Sequence, residues 1–335
     1  VGKPKKKVSK SEPLDPALAN STVTEVFPNQ CRVLLDQPSD PAAALGTQPR
    51  EILCSYRRAQ ILRSSEDDFR ERSPVAVGDR VLAEATDPQS GVVEGWVERR
   101  NYLARPAPGK DDPNIIHVIA ANIDLLVIVA SVTLPEFSPG LVDRYLIAAQ
   151  AAGIASLICV TKNDLTNPDT QRLWEKYGEL GYKWLLLGER GKVGLEPLRS
   201  QVVGKTVVFC GHSGVGKTSL FRALLGREIG RVGEVNVQTG KGRHTTTSSI
   251  LYRPEKGAEK GAEKGENSNW IDTPGIREFG LIGVEPESLR NFFPEFAGLD
   301  CTANGCSHLG EDGCQATDLF RYQSYLRIHE SLIAP

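Results

Sequence analysis

Four short constellations in this chain carry residue types able to do chemistry. The first is Gly211-His212-Ser213-Gly214-Val215-Gly216-Lys217-Thr218, a G-x4-G-K-[ST] pattern directly after the apolar β-branched run Thr206–Cys210. Glycines there let the backbone turn its N–H groups inward around a polyphosphate, Lys217 reaches the β and γ phosphates, and Thr218 offers a hydroxyl to Mg2+. Ser219 opens the following helix, whose positive end adds to the cradle. A plain glycine turn between strand and helix would need neither the Lys-Thr pair nor this spacing. The second constellation is a strand running into Asp272-Thr273-Pro274-Gly275, or D-x-x-G. Asp272 is suited to hold Mg2+, directly or through a water, and Gly275 to present its N–H to a γ phosphate. The third is Thr161-Lys162-Asn163-Asp164 after the apolar run Leu157–Val160, an [NT]-K-x-D pattern. Its carboxylate can accept from both N1–H and the exocyclic amine of guanine while the lysine stem packs on the base. Adenine leaves that carboxylate partly unpaired, which costs about 1–3 kcal/mol and so selects GTP over ATP.

The fourth constellation is Cys301-x4-Cys306-x-His308-x5-Cys314. Three thiolates and one imidazole complete a tetrahedral shell with no open position, which is the chemistry of a structural Zn2+. Gly305, Gly310 and Gly313 permit a tight loop around an ion, and the polar, glycine-rich surroundings offer no core in which free cysteines would be buried. Zinc there would staple a segment too small to fold alone and could hold a basic helix against RNA. The remaining cysteines, Cys31, Cys54, Cys159 and Cys210, fall in strand-like runs and read as small core residues. His329 reads as a surface residue of the terminal helix.

The elements that must position these groups follow two periods. From Thr22 to Arg105, short β-rich runs at Thr22–Phe27, Arg32–Leu35, Ile52–Tyr56, Val81–Ala85 and Gly91–Glu98 predict a small five-stranded barrel, with Gly78-Asp79 as a turn before the fourth strand. Arg57, Arg58, Arg63, Arg80, Arg99, Arg100 and Arg105, with Tyr56, Trp96 and Tyr102 among them, would suit single-stranded nucleic acid on an OB-like barrel. Equally, the arginines solvate strand edges and the aromatics fill the barrel. After a polar linker the pattern becomes βαβ: strands at Leu125–Val132, Ser156–Val160, Lys183–Leu187 and Thr206–Cys210, with helices at Leu141–Ala152 and Gln171–Gly178, predict a mostly parallel sheet. Strands at Ser248–Tyr252 and up to Asp272, a low-complexity Glu255–Lys264 insert and a terminal helix over Leu319–Leu332 complete the reading.

Composition bounds the class. The 335 residues allow two or three domains, and a net charge of -2 gives no global sign of nucleic acid. Local clustering does occur: Lys3, Lys5, Lys6, Lys7 and Lys10 form a basic stretch expected to be disordered, which could touch phosphates or simply solvate. Seven cysteines without an apolar signal segment point to a reducing, cytoplasmic setting. The longest apolar run, Ile115–Val132, is broken by Asn122 and Asp124, too polar to span a membrane.

Motif order is the most specific feature. In the usual GTPase the base-reading motif follows D-x-x-G, whereas here Thr161–Asp164 precedes the P-loop and nothing after Gly275 matches it, so the GTPase domain is circularly permuted. With the permutation, the preceding β-rich domain and the Cys/His tail, the chain from about Thr22 onward resembles the RsgA (YjeQ/YloQ) family of small-ribosomal-subunit biogenesis GTPases. Supporting stretches are Ala120-Ala121-Asn122-Ile123-Asp124, Asp143-Arg144-Tyr145, and Gly242-Arg243-His244-Thr245-Thr246-Thr247, which is similar to the family's switch I and brings Thr246 into the hydrolytic set. The resemblance implies a basic tail at 1–20, an OB-fold β-barrel at 21–108, a permuted α/β P-loop GTPase domain at 114–284 and a small helical zinc-binding domain at 285–335. It implies GTP hydrolysis coupled to late maturation of the 30S subunit, binding to 16S rRNA, GTP and GDP as ligands, and a monomer. Two departures stand out: Leu187-Gly188-Glu189-Arg190-Gly191 replaces the Ser-Ala often found at the last base-contacting loop, and the Glu255–Lys264 insert is a local addition. Ile276 stands where Ras-like enzymes carry the glutamine that positions water, so free turnover is expected to be slow, with a partner or His212 supplying that function. The contrasting readings are an RNA-binding assembly factor in which hydrolysis is incidental, and a P-loop ATPase or kinase.

Overall fold

The computed structural model describes residues 12–36, 50–56, 70–107, 115–165, 168–188, 194–226, 249–254, 268–273 and 279–333. Its backbone packs into two compact units, Val1–Ile123 with Ser248–Tyr252, and Asp124–Thr247 with Arg253–Pro335. The basic stretch at 3–10, Arg57, Arg58, Arg63 and the Glu255–Lys264 insert lie outside the described residues.

The first unit holds β1 (Ser21–Phe27), β2 (Gln30–Leu35), β3 (Glu51–Ser55), β4 (Arg70–Glu71), β5 (Arg80–Ala85), β6 (Ser90–Trp96), β7 (Tyr102–Pro106) and β8 (Ile115–Ala121). Five of these close a barrel in the order β1-β2-β3-β6-β5, with β1 pairing back onto β5 and β3 parallel to β6. This is the five-stranded, OB-like closure the alternation predicted. Val23, Cys31, Val33, Ile52, Cys54, Val81 and Val93 point inward, joined by Tyr56 and Trp96. The two aromatics therefore fill the core, and two of the arginines are structural. Arg80 pairs with Asp36 at 2.5 Å, and Arg99 bridges Asp79 and Glu71 at 2.7 Å each. Asp79 is more than a turn residue: fully buried, it also accepts from the Ala76 N–H at 2.8 Å. The remaining strands form a second sheet, β4-β8-β7, in which β8 runs antiparallel to β7.

The second unit begins at Asp124, two residues past the left-handed Asn122. It contains β9 (Leu125–Ser131), α1 (Pro139–Ala151), β10 (Ala155–Thr161), α2 (Pro168–Glu179), β11 (Trp184–Leu187), α3 (Leu195–Val202), β12 (Thr206–Cys210) and α4 (Lys217–Leu225). The short β13 (Ile250–Tyr252) belongs to the first unit, and β14 (Asn269–Asp272) returns to the second. Within the second unit five strands pair in parallel in the order β11-β10-β9-β12-β14. Every residue of β9 is buried, as a central parallel strand covered on both faces requires. Asp124 fixes the register of its neighbour: its N–H donates to the Thr206 carbonyl and its carboxylate accepts from the Thr206 N–H, both at 2.8 Å.

The C-terminal segment is a series of 3-10 turns ending in α5 (Tyr322–Ile333). It docks on α1 through a fully buried ion pair, Arg321 Nε to Asp143 Oδ1 at 2.7 Å, with Glu295 at 3.1 Å from Arg321 Nη1 and the Phe293 ring 4.5 Å from the guanidinium. Tyr177 donates its hydroxyl to Asp143 at 2.9 Å. The next two residues extend the clasp: Arg144 donates to Ser331 Oγ at 2.9 Å, and Tyr145 packs edge-on to Phe279. Removing one partner of such a pair strands a charge without water, so Arg321→Met should lower unfolding free energy by about 3–5 kcal/mol, and the double change Asp143→Leu with Arg321→Met by clearly less. Urea denaturation followed by near-ultraviolet circular dichroism measures both.

Candidate nucleotide pocket and metal centre

The strands β10, β9 and β12 are parallel neighbours, so the loops leaving their carboxyl ends meet along one edge of the sheet, where open α/β sheets take ligands. After β12 the chain turns through Gly211, Gly214 and Gly216 at φ 143°, 85° and 97°, conformations that side chains resist. At Gly211 a Cβ would stand 2.1 Å from the Val129 carbonyl oxygen, so only glycine lets the loop start this close to β9. The loop then enters α4 with Val215 buried and Ser213, Thr218 and Ser219 exposed. Lys217 Nζ donates to the carbonyls of Gly211 at 2.6 Å and His212 at 3.0 Å, bracing the loop from within. His212 itself is exposed, and its Nδ1–H donates to the Ser213 carbonyl at 2.8 Å.

Thr161 ends β10 and is buried against this loop. Its hydroxyl lies 2.5 Å from the Val215 carbonyl and 3.1 Å from that of Ala130, so two segments 54 residues apart are stitched together at one atom. Lys162 follows in a left-handed conformation, and its ammonium donates to the Thr133 carbonyl at 3.3 Å and to that of Leu134. Asn163 is half-buried and Asp164 exposed. Between the two loops lies a cavity of about 270 Å3, with Thr161, Lys162 and Asp164 on one side, Val215, Gly216, Ser219 and Leu220 on the other, and Leu187 completing it. Apolar walls with a carboxylate at the rim suit a planar heterocycle that offers donors at its edge. Sequence reasoning placed a contact loop after Leu187 but missed Leu220 and the Thr133 and Leu134 carbonyls, which carry no side-chain signal.

On the other side of the P-loop, Asp272 stands opposite Phe209 in parallel register, one residue before β12 ends. Thr273 donates its hydroxyl to the Phe209 carbonyl at 2.7 Å and fixes the chain as it leaves the strand. The Asp272 carboxyl is 7% exposed; burial pushes its pKa up, and the Lys217 ammonium opposes the shift. Burial correspondingly pushes the Lys217 pKa down, with Asp272 opposing. A desolvated cation and a desolvated anion thus face the phosphate end of the loop. Gly275, Ile276, Thr246 and the rest of Gly242–Thr247 lie outside the described residues.

The second centre is in the C-terminal segment. Cys301, Cys306, His308 and Cys314 each offer one ligand atom, and all four atoms lie within 4.8 Å of one another. The Cys301 and Cys314 sulfurs are 3.7 Å and 3.6 Å from His308 Nδ1. Bonds of about 2.3 Å to sulfur and about 2.0–2.1 Å to nitrogen give a tetrahedral S···N edge of about 3.6 Å, so the residues fit a zinc ion. Glu311 stays out of the shell and pins the loop, accepting from the N–H groups of Ser307 and Leu309 at 2.8 Å. Phe296 packs edge-on to the His308 ring, and Tyr325 donates to the Ser307 carbonyl at 2.6 Å, tying the loop to α5.

A P-loop on one parallel strand, with a base-reading motif on a strand that precedes it in sequence, defines a circularly permuted P-loop GTPase. Comparison with known proteins agrees. The family model described as RsgA GTPase matches residues 96–282. The chain is 36% identical to the small ribosomal subunit biogenesis GTPase RsgA of Hahella chejuensis, over 77% of this chain and 74% of that protein. Against the corresponding protein of Chlorobaculum parvum it is 37% identical, over 82% of this chain and 91% of that one. Among solved structures it is similar to YjeQ from Thermotoga maritima, with a TM-score of 0.63 and 25% identity over 95% of this chain and 99% of that one. It is likewise similar to YloQ, a circularly permuted GTPase, with a TM-score of 0.59 and 26% identity over 93% of this chain and 94% of that one. The chain belongs to the RsgA family of GTP-hydrolysing enzymes.

Two outcomes follow from this geometry. Asp164→Asn should weaken GTP binding by about tenfold or more while improving xanthosine triphosphate, read by competition against a fluorescent guanine nucleotide. Protein purified without chelator should carry one zinc per chain by elemental analysis, and Cys306→Ser should lose the metal and lower the midpoint of thermal unfolding.

Proposed function

We propose that this chain is a Mg2+-dependent GTPase acting in late maturation of the 30S ribosomal subunit, binding 16S rRNA in a nucleotide-dependent way. The observation carrying the reading is the single cavity shared by Thr161, Lys162 and Asp164 with the P-loop residues Val215, Gly216 and Ser219, flanked by Lys217 and Asp272. In this reading Asp164 accepts from the guanine edge and the Lys162 stem covers the ring. Thr161 and Asn163 shape the base loop, while Gly211, His212, Ser213, Gly214, Val215, Gly216 and Ser219 surround the phosphates. Lys217 exchanges its loop carbonyls for the β and γ phosphates. Thr218 and Asp272 would hold Mg2+, which would supply charge neutralisation at the phosphates. Thr246 and Gly275 order around the γ phosphate and are released on hydrolysis.

The zinc loop at Cys301, Cys306, His308 and Cys314 stabilises the C-terminal segment. The functional parts are the tail at 1–20, the barrel at 21–108, the GTPase domain at 114–284 and the zinc-binding domain at 285–335, working as a monomer. No helix among the described residues is long and apolar enough to cross a membrane; the reading puts the protein at work in the cytoplasm, on the small ribosomal subunit that its relatives are named for.

With Ile276 in place of a water-orienting glutamine, turnover depends on the subunit, which supplies that group or aligns His212. Purified 30S particles should therefore raise the GTPase rate at least about tenfold, and Lys217→Ala should abolish turnover in both conditions. Steady-state phosphate release measures this. Equal rates with and without particles would remove the subunit from the mechanism.

A further inference from the structure

The second sheet of the barrel unit carries arginines that pair with no acid among the described residues. On β7 and β8, Arg105 stands directly opposite His117, and the chain leaving β4 brings in Arg72, whose N–H donates to the Ile116 carbonyl at 2.8 Å. Along β8, Ile116 and Val118 are buried while His117 between them turns to the opposite face, which Arg105 shares. Like charges directly opposite each other weaken a ladder. Burial first, then Arg105 and Arg72, push the His117 pKa below its ordinary value. Arg105 Nε and His117 Nδ1 are nevertheless both shut off from solvent with no hydrogen-bond partner among the described residues. Buried polar atoms are normally satisfied, and an orphaned guanidinium nitrogen and an orphaned ring nitrogen on two residues in register mark a place where a bound group completes the set. Among the described residues, neither Arg72 nor Arg105 has an acidic partner at ion-pair distance, unlike Arg80 and Arg99 of the same unit.

We propose that Arg105, His117 and Arg72 form a phosphate site on the β4-β8-β7 sheet, and that its ligand is a backbone phosphate of RNA. The guanidinium groups present N–H forks to the phosphate oxygens, and the imidazole adds a third donor. A polymer fits better than a free ion because exposed cations continue outward from the half-buried pair. Arg72 and Arg70 are exposed, and Arg70 sits in register with Ile115 at the start of β8. Phosphate contacts of this kind fix register and orientation and carry no sequence information. The site rests on the rRNA-binding reading above and assigns that binding a specific surface, one that does not use the buried aromatics Tyr56 and Trp96.

The test uses the full chain and a fluorescently labelled single-stranded RNA oligonucleotide, with anisotropy recorded across a salt series. Arg105→Gln should weaken binding about fivefold for any sequence and lower the salt slope by about 0.7, one phosphate for a single strand, with Arg105→Lys retaining most of the slope. Arg72→Gln should act in the same direction, and GTP turnover without ribosomes should be unchanged in all three. Thermal melts matching the parent show that the sheet is intact. If Arg105→Gln and Arg72→Gln bind RNA with parental affinity and slope, the site is overturned while rRNA binding stands. If inorganic phosphate at constant ionic strength shifts the His117 ring resonances but the variants bind RNA normally, the ligand is free phosphate and the RNA assignment fails. A parent chain that binds no RNA overturns this site and the rRNA reading together, leaving GTP hydrolysis untouched.

Discussion

The chemistry of this chain depends on the parallel pairing of one strand with two others. β9, buried along its whole length, pairs with β10 on one side and β12 on the other. That arrangement sets the end of β10, with its Thr161-Lys162-Asn163-Asp164 motif, beside the start of the Gly211–Thr218 loop, although the two motifs come in reversed order along the sequence. The hydroxyl of Thr161 against the Val215 carbonyl then locks them at 2.5 Å. A threonine is suited to that position because its hydroxyl reaches the neighbouring carbonyl while its methyl stays in the core. Circular permutation moves the chain ends without moving this contact, because the sheet needs only the spatial order of strands and not their order of synthesis.

The same unit ties its C-terminal segment to the nucleotide pocket's scaffold. α1 begins where the loop holding the Lys162 ammonium ends, and its Asp143 anchors Arg321 in a setting without water. A buried ion pair contributes little net stability relative to a well-packed apolar alternative, but it tolerates few other arrangements. Glu295, Tyr177 and the Phe293 ring surround the guanidinium, so the segment carrying the Cys301, Cys306, His308 and Cys314 cluster is fixed to α1 at a specific point.

Much of this was legible in the sequence. The five barrel strands stand out as short β-rich runs, and the strands leading into Thr161 and Gly211 are continuous apolar runs, as parallel core strands are. What stayed hidden has a physical reason in each case. β8 was masked because Ile115–Val132 reads as one apolar run; the break is Asn122, whose left-handed backbone and side-chain bond to the Gly78 carbonyl end one strand before Asp124 opens the next. α3 is only eight residues long and begins after a glycine, too short for a helical period to stand out. Asp79 looked like a turn residue because its partner Arg99 is 20 positions away, and Arg321 gave no sign of Asp143 at a separation of 178. The metal-ligand spacing, by contrast, was readable because its four residues lie within one short loop.

The central claim is that Asp164 at the rim of this cavity reads guanine through two donors on one edge. The most direct measurement is equilibrium affinity for GTP, inosine triphosphate and ATP under identical Mg2+ and salt. Inosine triphosphate lacks only the exocyclic amine, and ATP lacks both donors. The account predicts a stepwise fall from GTP to inosine triphosphate to ATP, each step on the order of tenfold. Equal affinity for the three nucleotides would contradict it.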